Sequence, residues 1–286
     1  MTGLAGMGEE RIVIPGGNGM LGTDVAAACR DYGFSVTALD LPDFDITNDK
    51  QLSEAIAGGD IVVNCAAYTD VDKAQSQAQS AYKVNAEAVG HLGRLAKKKG
   101  IWVLHISTDF VFDGKSGRPY KETDVPNPIN EYGKSKLAGE RLLVESGCRH
   151  CIMRIEWTYG KAGKNFIGKL LSAAGHRGRI KVVDDQVGSP TATTQVAEAI
   201  CTLLRKKPEG LYHFASSGYV SRFGMAKFVF EKMNISTGLD ACKSSDFAAA
   251  AARPLNSCFD CGRIEKLLDK PIEPWQVPLE RFLREL

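Results

Sequence analysis

The 286-residue chain lacks any long apolar run. Nothing in it approaches the ~18 uncharged apolar residues of a membrane span. It also lacks a dominant charge: 36 basic and 34 acidic residues leave a formal +2. That is far from the basic field that a nucleic-acid binder presents. The two basic runs, Lys97, Lys98, Lys99 and Arg205, Lys206, Lys207, fall where helices are expected to end. Cations there suit the negative end of the helix dipole. There is no internal repeat, and no low-complexity tract beyond the alanines at 248–252. Residues 1–10 lack a basic region followed by an apolar stretch, so no secretory leader is expected there. The expectation is a cytoplasmic protein with neither a membrane nor a nucleic acid as partner.

Eight cysteines are present, and in a chain without a leader they are expected to remain thiols. Two pairs have C-x-x-C spacing, Cys148 with Cys151 and Cys258 with Cys261. Four thiolates are a zinc donor set. Cys151, however, opens the apolar run Cys151-Ile152-Met153, and a strand sends neighbouring side chains to opposite faces. Chance spacing is the preferred reading, and no metal is expected.

What is present is a globular composition, 44% apolar and 24% charged, with enough apolar material for a sizeable core. The length corresponds to roughly two domains. Residues 11–14, 35–39, 61–64, 101–106 and 151–155 are short, mostly β-branched runs that read as buried parallel strands. Helical patterns separate them. The longest, about 77–99, repeats Ala81, Ala88, Leu92, Leu95 and Ala96 on one face. The alternation predicts an α/β fold, a Rossmann-like doubly wound parallel sheet. After Trp157 the rhythm breaks. Residues 1–157 are therefore read as the nucleotide-binding domain, which also receives the 190–214 helix and strand. Residues 158–286 are read mainly as a smaller, discontinuous C-terminal substrate domain.

The first strand runs into Gly16-Gly17-Asn18-Gly19-Met20-Leu21-Gly22 and then a helical pattern. This is G-x-x-G-x-x-G, placed where glycine permits a tight turn and close approach to a pyrophosphate. The helix start adds unpaired N–H groups for the anion. The second strand ends at Asp40. A carboxylate there suits the adenosine ribose and repels a 2′-phosphate, so NADH is expected ahead of NADPH. The competing reading is a solvated loop carboxylate among Asp43, Asp45 and Asp49.

Tyr132-Gly133-Lys134-Ser135-Lys136 is Y-x-x-x-K, which puts Tyr132 and Lys136 on one helix face. A lysine ammonium there is expected to lower the phenol pKa and make it a usable proton carrier. Alone, the motif is an ordinary helical pair. Upstream, residues 101–106 end in Ser107-Thr108-Asp109, at the strand terminus where α/β sheets hold ligands. A hydroxyl there can orient a carbonyl that the tyrosine protonates.

The glycine spacing resembles the extended short-chain dehydrogenase/reductases. Within them, Ser107-Thr108-Asp109-Phe110-Val111-Phe112-Asp113-Gly114, Asn64-Cys65-Ala66-Ala67-Tyr68-Thr69-Asp70-Val71-Asp72 and Val182-Val183-Asp184-Asp185-Gln186-Val187-Gly188-Ser189-Pro190-Thr191 resemble the dTDP-4-dehydrorhamnose reductase family. Arg253-Pro254 with Ser257, and Gly210-Leu211-Tyr212-His213 with Ser217-Gly218, extend the likeness over nearly the whole chain. The resemblance implies NADH-dependent reduction (NADPH as second choice) of dTDP-4-dehydro-L-rhamnose at C4 to dTDP-L-rhamnose. It implies Tyr132 as proton donor, Lys136 as its tuner and nicotinamide-ribose ligand, and Thr108 as the group orienting the carbonyl. Val71, Asp109 and Trp157 match substrate positions. Gly16, Gly19, Met20, Leu21 and Gly22 match the pyrophosphate loop. Asp40, Asp45 and Ile46 match the adenosine site, and Ala67, Tyr68 and Thr69 the cofactor groove. Asn85 matches a supporting asparagine. Bland alternatives are core packing for Val71 and Trp157, and helix capping for Asp45. Two features depart from the family pattern: Pro15 stands where threonine is frequent, and Phe110 where tyrosine is frequent. The partner implied is a nucleotide sugar, with pairing of two copies left open. The competing functions are a reductase or epimerase of another nucleotide-linked 4-keto sugar, and a regulatory subunit of methionine adenosyltransferase.

Overall fold

The computed structural model describes residues 10–247 and 249–286. Six parallel strands form the central sheet. Across it they run Gly210–Phe214, His150–Ile155, Trp102–Thr108, Ile61–Asn64, Arg11–Pro15 and Ser35–Leu39. The chain first steps outward from Arg11–Pro15 to Ser35–Leu39, then crosses back to Ile61–Asn64 on the other side. That reversal opens a crevice at the carboxyl ends of Arg11–Pro15 and Ile61–Asn64.

Alternation along the strands fills two layers. Ile12, Ile14, Trp102 and Leu104 face one layer, with Val25 of the Met20–Asp31 helix and Ile200 of Thr193–Lys206. Val13, Val62 and Val103 face the other, with Leu92 of Ala88–Lys99 and Leu143 of Glu131–Glu145. The Thr193–Lys206 helix and the Gly210–Phe214 strand thus belong to the sheet unit, although they follow the break at Trp157. Ser35–Leu39 is only half-buried, unlike the buried strand the sequence suggested, because it lies at the sheet edge.

The helical pattern over 77–99 is not one helix. It divides into Ala78–Tyr82, a π turn at Lys83–Glu87 and Ala88–Lys99. Apolar periodicity is blind to one extra residue per turn, and such bulges gather at functional positions. A second, smaller core lies apart from the sheet. It joins helices Phe166–Ala174, Arg222–Lys232 and Gln276–Leu283 to the parallel pair Arg179–Val183 and Gly238–Cys242. Among the described residues no helix is long and apolar enough to cross a membrane.

Candidate active site

A cavity of about 780 Å³ opens at the crevice. Its lining contains every position expected for the site. Gly16, Gly19, Met20, Leu21, Gly22, Asp40, Asp45, Ile46, Ala67, Tyr68 and Thr69 form one side. Val71, Thr108, Asp109, Tyr132, Lys136 and Trp157 form the other.

The first side is shaped by missing side chains. Gly16 has φ +75°, and a Cβ there would meet the Ala66 amide nitrogen at 2.5 Å. A Cβ on Gly22 would meet the Gly16 carbonyl oxygen at 2.0 Å, so helix and turn are packed backbone to backbone. A Cβ on Gly19 would meet only that same oxygen, at 3.2 Å. That contact is tight but far milder than the one at Gly22, and Gly19 lines the cavity. Helix Met20–Asp31 begins there without a side-chain cap, leaving first-turn N–H groups for a ligand. Asp40 Oδ2 accepts from the Asn18 amide at 3.1 Å, which fixes its carboxylate beside the loop. Asp45 Oδ1 accepts from the Thr47 amide and hydroxyl, each at 2.8 Å, while the Asp49–Ala55 helix is capped by Asn48 instead. Glycine cradle, helix start and terminal carboxylate together fit a nicotinamide dinucleotide.

The second side is made of positioned polar side chains. Thr108 ends the Trp102–Thr108 strand, and its hydroxyl donates to Asp109 Oδ1 at 2.9 Å. Asp109 Oδ2 accepts from the Ser257 hydroxyl. Tyr132 and Lys136 lie one turn apart on Glu131–Glu145. Two glycines bring that helix in close. A Cβ on Gly133 would meet the Phe110 carbonyl oxygen at 2.1 Å, and one on Gly139 the Asn85 carbonyl oxygen at 1.9 Å. Phe110 stands edge-on to the Tyr132 ring, with centroids 5.4 Å apart.

One electrostatic expectation is corrected. Burial pushes the Tyr132 phenol up to about 12, hydrogen bonding with Thr108 opposes this in part, and Asp109 adds to the rise. The Lys136 ammonium does not offset it, because Lys136 Nζ donates to the Ile106 carbonyl at 2.7 Å and lies 3.4 Å from His105 Nε2. Burial brings Lys136 itself down to about 8. His105 is fully buried and held neutral, first by burial and then by Lys136. The Ala66 amide donates to Asn64 Oδ1 at 3.1 Å, so Asn64 Nδ2 faces His105 Nδ1, also at 3.1 Å.

Two further buried arrangements hold the helix. From the π turn, Asn85 Oδ1 accepts from the Tyr68 amide at 2.8 Å, and Nδ2 donates to the Tyr68 carbonyl at 3.1 Å and the Ser135 hydroxyl at 3.0 Å. It ties the groove segment to the helix of Tyr132. One turn beyond Lys136, Glu140 takes a two-pronged bond from Arg154, at 2.8 and 2.6 Å, and a third from Ser107. Glu140 and Arg154 are both buried.

Three residues at the cavity escaped the sequence reading, Arg222, Lys164 and Glu156. Glu156 is a cavity neighbour rather than a lining residue. It follows the strand His150–Ile155, is 1% exposed, and burial pushes its carboxyl well above the usual range. Its Oε2 accepts from the Ser189 amide at 2.9 Å, whereas Oε1 has no partner. An ionisable residue closing an apolar strand beside Trp157 was a signal available in the sequence. Arg222 and Lys164, which do line the cavity, gave none. All eight cysteines are free, and Cys148 and Cys151 are buried. Among the described residues no group of three or more His, Cys, Asp or Glu side chains is placed to hold a metal.

Comparison with known proteins gives a consistent result. The family model described as the RmlD substrate binding domain matches residues 10–286. The dTDP-4-dehydrorhamnose reductase of Aggregatibacter actinomycetemcomitans is 35% identical over 287 residues, covering 95% of this chain and 98% of that protein. The reductase of Mycobacterium tuberculosis H37Rv is 42% identical over 230 residues, covering 78% and 76%. The solved structure of the Bacillus anthracis reductase, in complex with NADP, superposes with a TM-score of 0.93 at 34% identity, covering 98% of this chain and 100% of that one. With the glycine cradle, Thr108, Tyr132 and Lys136 all facing one cavity, the matched residues run through the whole site, and the chain belongs to the dTDP-4-dehydrorhamnose reductase family.

Proposed function

We propose that this protein reduces dTDP-4-dehydro-L-rhamnose at C4 to dTDP-L-rhamnose, with NADH preferred and NADPH accepted. The observation that carries the reading is the convergence of the 16–22 loop with Thr108, Tyr132 and Lys136 on one cavity. A bound reduced nicotinamide supplies the hydride to C4. The chain's own work is positioning and proton supply. Thr108 Oγ1, placed by the Phe110 amide, turns its proton from Asp109 Oδ1 to the C4 oxygen when substrate enters, while Asp109 stays anchored by Ser257. Tyr132 gives its phenolic proton to the oxygen as negative charge develops on it. A phenol held near 12 is fully protonated at neutral pH and so is loaded for donation. Lys136 leaves its Ile106 partner to hold the nicotinamide ribose, and its charge then stabilises the phenolate that remains. Asp40 and Asp45 receive the adenosine end. The smaller core beyond 157 is assigned the sugar side, whereas Thr193–Phe214 and the Gly262–Leu268 helix pack with the sheet. The eight free thiols support a cytoplasmic setting.

The test is NADH oxidation with dTDP-4-dehydro-L-rhamnose, run beside NADPH and the Tyr132→Phe variant. We expect dTDP-L-rhamnose as product and a turnover loss of roughly 10²–10⁴-fold in the variant, with NADH binding retained. Equal turnover in wild type and variant would sink the assignment.

A further inference from the structure

One cation in the cavity wall has no role in the chemistry described above. Arg222 opens the Arg222–Lys232 helix, in the smaller unit, and lines the cavity beside Trp157. Its guanidinium lies 3.5 Å from the Trp157 ring centroid and 5.0 Å from that of Phe166. Stacking on indole holds the planar fork and leaves its N–H edges directed outward. Among the described residues no hydrogen bond engages those nitrogens, and none of them is a buried atom without a partner. They therefore face the cavity space.

Two acids, Asp109 and Glu156, lie near enough to act on this charge, but neither accepts a hydrogen bond from the guanidinium. Glu156 is held as the neutral acid, by burial first and by the Asp109 charge second. Both oxygens of Asp109 are engaged, by Thr108 and by Ser257. Lys164, exposed, lines the same cavity. A fork with unused donors in a partly enclosed space matches an oxyanion with several acceptor oxygens, because charge-assisted bonds to such a group are short and strong. Phosphate suits the unused donors of the fork better than a sugar hydroxyl, which offers a single weak acceptor.

We propose that Arg222, stacked on Trp157, binds the diphosphate of the nucleotide sugar. This rests on the reading of the cavity as a nucleotide-sugar site. It assigns to the smaller unit the anchoring of the substrate's charged middle, while Thr108 and Tyr132 act on its sugar.

Calorimetric titration of the whole protein with dTDP, thymidine and inorganic pyrophosphate tests it, comparing wild type with Arg222→Met and Arg222→Lys. NADH binding is measured in each protein to establish that the sheet unit is intact. The expected result is that Arg222→Met loses roughly 10- to 100-fold in dTDP affinity while thymidine binding is unchanged. Arg222→Lys should fall between, since it keeps the charge and loses the fork. Weaker pyrophosphate binding in both variants would locate the effect on the phosphates. Unchanged dTDP affinity in Arg222→Met with NADH binding intact overturns the proposal. So does a wild type that binds dTDP no better than thymidine. If Arg222→Met fails to bind NADH, Arg222→Lys decides, and dTDP affinity equal to wild type there also overturns it. A wild type that binds dTDP through Arg222 yet reduces no keto sugar would keep this anion site and remove the proposed reaction instead.

Discussion

The two sides of the cavity are made of different material. The nucleotide side is backbone: turns packed so tightly that Gly16 and Gly22 admit no Cβ, and a helix start without a side-chain cap. The opposite side is side chain: Thr108 on Asp109 and Arg222 on Trp157, with the helix of Tyr132 held from behind by Glu140 on Arg154. Backbone sites tolerate change at exposed positions and fail wherever a Cβ must enter. Side-chain sites depend on desolvated charge that keeps its partner. A cofactor shared by many enzymes is held by the first kind of surface, and a particular carbonyl by the second.

The largest effect on folding is expected where buried charge loses its partner. Glu140→Gln leaves the Arg154 guanidinium buried beside a neutral amide, and removing one member of such a pair costs about 3–5 kcal/mol. Denaturant unfolding measures this directly. Because Glu140 also seats the helix of Tyr132 and Lys136, turnover should fall with it. A loss below about 1 kcal/mol, the range of surface pairs, would show that the pair is solvated and that the contrast drawn above is wrong.

A glycine pair tests the backbone side. Gly22→Ala drives a Cβ to 2.0 Å from the Gly16 carbonyl oxygen, so the turn must move. Overpacking of this kind costs about 1–3 kcal/mol, and NADH affinity should drop with stability. Gly19→Ala meets the same oxygen at 3.2 Å and, with φ −72°, strains no backbone. Its melting temperature should fall less than that of Gly22→Ala, since the Gly16 carbonyl need give only slightly, while NADH affinity falls because the methyl enters the ligand's space. Parallel losses in both variants would mean that Gly19 is structural after all.

The same division explains what the sequence made legible. Glycines at 16, 19 and 22 between a strand and a helix, with Asp40 closing the next strand, announce the backbone side, because tight turns restrict residue type at fixed spacing. Tyr132 and Lys136 are legible through helix periodicity. The π turn at Lys83–Glu87 was not, because an added residue per turn leaves the apolar pattern nearly unchanged, although Asn85 stood out by its residue type. The Tyr132 phenol ran against expectation because burial of the ring governs it, while the lysine four residues away is turned to the Ile106 carbonyl. Arg222 was invisible for a different reason. It meets Trp157 across 65 positions of chain (222 − 157), and only the packing of the smaller unit brings them together.

The smallest expected effect concerns Asp40, the carboxylate expected at the ribose. Its carboxylate accepts from the Asn18 amide at 3.1 Å and from the Leu41 amide at 2.9 Å. Asp40→Asn keeps the size and one acceptor oxygen and removes the charge. NADH should lose little, since neutral hydrogen bonds to the ribose remain available. NADPH should gain, because a 2′-phosphate no longer meets a carboxylate. At a few ångströms in a solvent-exposed setting that repulsion is worth about 1 kcal/mol, or roughly fivefold in the NADPH-to-NADH ratio of kcat/KM. The Bacillus anthracis relative was solved with NADP, so a wild type that already favours NADPH is the outcome that would break the reading. Asp40 would then be a loop fastener for Asn18 and Leu41, and its replacement should lower stability while leaving the cofactor ratio unchanged.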